Sequence, residues 1–153
     1  GFMVGPEIEK EAQVRHGSRM FVTAANMSVP LFAVVLRKGY GLGAQAMTAG
    51  SFHAPFFNIS WPTGEFGGMG LEGAVRLGYR REMEAIEDPE ERDAFYRKMV
   101  DRYYENGKAT NMASFLEIDA VIDPAETRHW VTRGLKSLPP MEAKPSRAFI
   151  DTW

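Results

Sequence analysis

Three features of the sequence predict an α/β domain of alternating strands and helices. Short apolar runs at residues 31–36 and 56–60 have the length and the β-branched and aromatic content of buried strands. Segments of helical periodicity lie between and after them, joined by short loops. Asp88-Pro89 and Asp123-Pro124, each with an acidic residue just beyond, are helix-start signatures that anchor two of those helices. With 153 residues and 44% hydrophobic content, the chain is long enough for one domain with its own core.

Residues 1–5 form a glycine-bounded apolar turn, and Pro6 with Glu7, Glu9 and Glu11 opens a helix expected over residues 8–28. Met20, Phe21, Ala24, Ala25 and Met27 recur at helical spacing, and the methionines read as core filling. Pro30 ends that helix. The strand at 31–36 empties into a glycine-rich turn, residues 39–43, ahead of a helix beginning near Ala44. A loop at 51–55 leads to the strand at 56–60, closed by Trp61-Pro62-Thr63. Residues 64–73 contain Gly64, Gly67, Gly68, Gly70 and Gly73 and lead into a helix expected over 71–86. This second glycine-rich approach admits two readings, close packing of backbone or a wall of the same pocket as the first.

Asp88-Pro89-Glu90-Glu91 caps a helix whose stripe is Phe95, Met99 and Tyr103 and which Asn106-Gly107 ends. A short helix over 109–116, a short strand over 118–122 and a last helix carrying Val131, Leu135 and Leu138 complete a domain at 1–138. Residues 139–153, rich in proline and charge, are expected to be an extended tail. No internal repeat is visible.

Composition narrows the function. A net charge of −2 provides no concentrated basic face, so nucleic acid is not an expected partner. Without cysteine there is no thiolate nucleophile, disulfide or cysteine-held zinc. No apolar run reaches the roughly 18 residues of a membrane span and no signal-peptide pattern opens the chain, so membrane association is not expected. The expected compartment is the cytoplasm, or the mitochondrial matrix in a eukaryote. Gly1-Phe2-Met3, with no initiating methionine, reads as a cut from something longer. His16 and His129 stand alone on helices, no Ser-His-Asp arrangement or carboxylate dyad is evident, and no metal is expected.

The turn at 39–43 is then the best candidate site. A strand-to-helix junction leaves backbone N–H groups without intrahelical partners, and glycines let a ligand approach the main chain. Such a turn serves as a plain connector, as a dinucleotide site or as an oxyanion hole for acyl or carboxyl transfer. Gly41, Gly43 and Ala46 fit G-x-G-x-x-A, but the acidic residue expected about 20 positions later is missing. No G-K-[ST] follows, which excludes a P-loop.

Four blocks, in this order along the chain, resemble the carboxyltransferase (β) subunit of biotin-dependent acyl-CoA carboxylases, the propionyl-CoA and methylcrotonyl-CoA carboxylase family. They are GFMVG at residues 1–5, RKGYGLGAQAM at 37–47, WPTGEFGGMGLEGAV at 61–75 and IDAVIDPAETR at 118–128. The resemblance implies a crotonase-like ββα superhelix and identifies the chain as the incomplete C-terminal, biotin-side half of such a subunit. It implies carboxyl transfer from carboxybiotin to the α-carbon of an acyl-CoA thioester, without a metal. The backbone amides of Leu42 and Gly43 would form the biotin-side oxyanion hole. Gly39, Tyr40, Gly41, Gln45, Phe2 and Met3 would surround the cofactor. Leu42 stands where the family has a glycine, and Gln45 where relatives often have an aspartate associated with acyl-chain preference. The implied partners are a biotin carboxylase and biotin carrier subunit, the N-terminal half of the same subunit type, and further copies in a homo-oligomer. Alone, the fragment is expected to be inactive and, with a strand edge unpaired, to associate. Two alternatives are a crotonase-like hydratase or isomerase, which would use Glu65 or Glu72 as acid or base, and a noncatalytic assembly domain.

Overall fold

A computed structural model describes residues 1–140; the expected tail lies, beyond Pro140, outside the described residues. The architecture is two successive strand–strand–helix turns laid one on the other, with helices around them. The first turn is β1 (Phe32–Val35), β2 (Lys38–Tyr40) and α3 (Gly41–Met47). The second is β3 (Phe57–Ser60), β4 (Glu65–Gly67) and α4 (Leu71–Gly78). β1 pairs in parallel with β3, Phe32 opposite Phe57 and Val35 opposite Ser60, and β5 (Ala120–Val121) joins the other side of β3. β2 pairs in parallel with β4, placing Lys38 opposite Glu65 and Tyr40 opposite Gly67. The structural repeat was invisible in the sequence because β2 and β4 are three residues long and each contains glycine, a residue depleted in strands.

The core has two parts. Phe57, Ile59 and Ile122 pack with Phe32, Val34, Trp130 and Val131 on one side of the three-stranded sheet. Phe66, Ala109 and Ile118 pack with Val35, Phe52 and Met112 in the second cluster. Both expected strands form, and all four residues of β3 are buried because strands flank it on both edges.

Several helix boundaries differ from expectation. Residues 8–28 form two helices, α1 (Pro6–Lys10) and α2 (Gln13–Ala25), because Ala12 takes a left-handed conformation (φ 59°) that redirects the chain. Met20 is 37% exposed, so it is no core filler; the buried residue of α2 is Gly17, which lies against the Phe2 ring. α3 starts at Gly41 rather than near Ala44. Residues 71–86 divide into α4 and α5 (Arg80–Glu84) at Tyr79, which leaves helical geometry just after Gly78. The capped helix α6 (Pro89–Asn106) forms as expected, with the Asp88 carboxylate accepting from the Glu90 N–H at 3.1 Å. α7 (Ala109–Ser114) stops short of 116, where Leu116 turns left-handed (φ 61°). The strand expected over 118–122 shrinks to two residues between the buried Ile118 and Ile122. Asp123 caps a 3-10 turn (Pro124–Glu126) that runs into α8 (Thr127–Ser137), where Leu135 faces outward, 55% exposed. Among the described residues no helix is long and apolar enough to cross a membrane.

Candidate functional site

The parallel register of β2 and β4 brings the start of α3 against the glycine turn that follows β4. Gly41 is the first helical residue and has φ +56°, and a Cβ there would lie 2.6 Å from the Gly68 carbonyl oxygen. Glycine is therefore required at 41 by conformation and by space. Gly43 is covered from the other side: a Cβ on it would sit 2.8 Å from the Gly1 Cα. The amino-terminal residues thus cross α3 at its first turn as a strap.

Between the strap, α2 and the turn at 68–70 lies a cavity of about 600 Å³. Phe2, Met3, Tyr40, Gly41 and Leu42 line it. Gly68, Met69 and Gly70 form its opposite wall, so the second glycine-rich segment serves as a pocket wall. Gly39 and Gly43 instead face a second depression of about 800 Å³ along the outer edge of β1 and β2, an edge that pairs with no strand among the described residues. Gln45 is exposed and lines neither hollow. Val14, Ser18 and Phe21 of α2 also line the cavity. Of these only Phe21 belonged to the stripe read from the sequence, and the tertiary contact of α2 with α3 is what brings all three to the cavity.

The polar side chains that line the cavity are those of Gln13, Ser18 and Tyr40. No Asp, Glu, His, Lys or Arg lines it. The first turn of a helix carries N–H groups with no acceptor four residues back, and no side chain caps α3. Leu42 lines the hollow and is 63% exposed.

The carboxylates considered as acids or bases lie elsewhere. Glu65 accepts a hydrogen bond from the Tyr40 hydroxyl at 2.9 Å, and Glu72 one from the Tyr104 hydroxyl at 2.6 Å. Burial and the Glu65 contact push the Tyr40 phenol well above its ordinary range. The hydrogen bond from Tyr104 lowers the Glu72 carboxyl, while the Tyr104 phenol, chiefly through that same bond, is pushed up to about 12. Among the described residues no group of three or more His, Asp or Glu side chains is arranged to hold a metal ion.

Comparison with known proteins bears on the chain as a whole. A family model described as the carboxyl transferase domain matches residues 1–148. The propionyl-CoA carboxylase carboxyltransferase subunit of Haloferax mediterranei is 34% identical over 139 residues, 90% of this chain and 26% of that protein. Among solved structures, a single-chain, multi-domain long-chain acyl-CoA carboxylase is 55% identical, with a TM-score of 0.75 over 87% of this chain and 13% of that one. The hexameric transcarboxylase 12S, solved with methylmalonyl-CoA and methylmalonic acid bound, is 31% identical, with a TM-score of 0.79 over 99% of this chain and 29% of that one. This chain spans about a quarter of the length of the curated relatives it matches.

Proposed function

This chain belongs to the carboxyl transferase domain family and has its crotonase-like α/β fold as a partial domain, and from that premise we propose that it forms the biotin-side half of a carboxyltransferase site. The reaction is transfer of a carboxyl group from carboxybiotin to the α-carbon of an acyl-CoA thioester. The observation that carries this reading is the cavity in front of α3, which has glycine on two walls, apolar residues around it and no charged side chain.

The residues present fit biotin. A Cβ at Gly68 or Gly70 would meet nothing within 4 Å, so these positions leave open a cradle that side chains would fill. Phe2, Met3 and Phe21 give that cradle an apolar lining suited to a flat ring. Biotin, carried on a partner domain, supplies the carboxyl group and the ureido nitrogen that can accept a proton. The chain's own part is to hold and polarise. The Leu42 N–H, on a residue that lines the cavity, would be the donor to the ureido oxygen; Gly43, expected as the second donor, faces the other depression and lies one residue further into α3. Preorganised donors at a point of developing negative charge act without rearrangement, and removing one such donor costs about 10²–10³ in rate. Phe2, whose ring lies against Gly17, lines the same space.

A complete site needs a second oxyanion hole for the thioester, supplied by the N-terminal half of this subunit type. A biotin carboxylase with its carrier, and further copies of the subunit in a homo-oligomer, complete the proposed assembly, in the cytoplasm. A hydratase or isomerase would need an acid in this cavity, whereas neither Glu65 nor Glu72 lines it: Glu65 accepts from Tyr40 on the cavity wall and Glu72 from Tyr104 outside it. The test is carboxyl transfer by the full-length subunit, given a carboxylated biotin carrier and a set of short-chain acyl-CoAs. Transfer to at least one of them is expected; transfer to none would overturn the assignment.

A further inference from the structure

Glycines at 39, 41 and 43 leave the main chain of the turn with little stiffness of its own. Gly41, between Tyr40 and Leu42, sits in the left-handed region at φ +56°. The β2–β4 ladder and α3 hold the backbone on either side of this hinge, and the side chain one residue before it is placed to add a further tether on the direction of the Leu42 amide. Tyr40 is the last residue of β2 and the cap residue of α3, and it is only 8% exposed. Its partner across the ladder is Gly67, which leaves room for the ring to lie over β4 and reach Glu65, two residues earlier on that strand. Glu65 is itself a fixed point. Its N–H donates to the Arg37 carbonyl at 2.6 Å, it lies opposite Lys38 in register, and an antiparallel bridge ties it to Lys108.

We infer that Glu65 is a positioning residue for carboxyl transfer: through its hydrogen bond to the Tyr40 hydroxyl it anchors the residue from which the α3 amides project, and so aims the Leu42 donor into the cavity. The inference rests on the assignment of that cavity to the biotin-side site. Glu65 touches neither substrate nor cofactor; it acts through Tyr40. Displacements of about 1 Å in a catalytic group can cost on the order of 10²-fold in rate, so one lost tether is enough to register in turnover.

The experiment uses the full-length subunit in its holoenzyme, with Tyr40→Phe, Glu65→Ala, Glu65→Gln and the Tyr40→Phe/Glu65→Ala pair. Tyr40→Phe and Glu65→Ala are expected to lower kcat roughly 10-fold with the acyl-CoA KM within about twofold, because only interactions made in the transition state are affected. The double variant should be no worse than either single variant, since both remove the same bond. Glu65→Gln keeps an acceptor oxygen and should restore most of the turnover, a rescue that a purely structural loss would not follow. Full kcat in Tyr40→Phe, equal damage from Ala and Gln at 65, losses that multiply in the double variant, or a rise in KM alone would each overturn the inference. If Tyr40→Phe does not fold, the Ala-against-Gln comparison at the half-buried position 65 decides. Replacement of the Leu42 amide by an ester, run alongside, separates the two levels. If that ester transfers at the full rate, the site assignment fails; if it is impaired while Tyr40→Phe is not, only the positioning role fails.

Discussion

Replacing Leu42 by its α-hydroxy analogue through nonsense suppression exchanges one N–H for an ester oxygen and leaves the side chain unchanged. The structure makes this position unusually clean. Leu42 is the second residue of α3, where the helix offers its N–H no acceptor four residues back, so the exchange removes no interior helix hydrogen bond. By contrast an ester at Ala74, whose N–H donates to the Gly70 carbonyl at 2.9 Å, should cost about 1 kcal/mol of stability. At Leu42 the expected result is stability unchanged to within about 0.5 kcal/mol, with kcat lowered about 10²–10³-fold, equivalent to about 2.7–4 kcal/mol of transition-state stabilisation. The assay is carboxyl transfer from a carboxylated carrier to acyl-CoA, paired with denaturant unfolding of the same preparation. Unchanged kcat would refute the donor role. A stability loss like that at Ala74, with turnover intact, would show that the N–H serves only ordinary backbone pairing. Gly43→Pro, which would also delete an amide, is a poorer probe because any Cβ at 43 lands 2.8 Å from the Gly1 Cα.

That same contact predicts that Gly43→Ala destabilises by about 1–3 kcal/mol and loosens the strap, which limited proteolysis near the amino-terminal residues would detect. Ala12→Gly should stabilise by about 1 kcal/mol in denaturant unfolding, since Ala12 holds a left-handed φ of 59° that glycine adopts without strain. The Glu72–Tyr104 bond gives a pH signature. Because the Glu72 carboxyl is lowered in the folded state, its contribution is present at neutral pH and is lost as pH falls through the folded value, below the ordinary 4.5. Because the Tyr104 phenol is raised, its contribution is full below the ordinary 10.0 and is lost as pH rises toward about 12. The difference in unfolding midpoint between the wild type and Tyr104→Phe should therefore hold steady between those limits and shrink outside them; a difference independent of pH would contradict the assignment.

How much of this was legible in the sequence depends on the range of the force involved. α6 is readable because Asp88, Pro89 and the acids after them act within one helical turn. β1 and β3 are readable because burial on both sides leaves an apolar run. β2 and β4 were not, since a three-residue strand containing glycine owes its existence to the partner strand beside it. The break at Ala12 was not, because alanine is the best helix former and nothing local in the sequence marks a left-handed residue there. In the site, the glycine spacing located the turn at 39–43 and marked 64–73 as a possible wall. It could not tell that Gly39 and Gly43 face a different hollow from Gly41 and Leu42, a distinction set by which way α3 leaves Tyr40.

The location of the cavity follows from register more than from any single residue. Two parallel ladders run through successive turns of the chain, and the second sets Tyr40 opposite Gly67. One residue past that pair on each strand, Gly41 meets the Gly68 carbonyl, and the helix start and the glycine turn become facing walls. A slip of one residue would turn the Tyr40 ring to the opposite face of the two-stranded sheet, away from Glu65, and would set Gly41 against a different carbonyl. The glycines at 41 and 68, the tyrosine at 40 and the glutamate at 65 are therefore one device distributed over two blocks of sequence, and the blocks that resemble the carboxyltransferase family, 37–47 and 61–75, are the two that this register brings together.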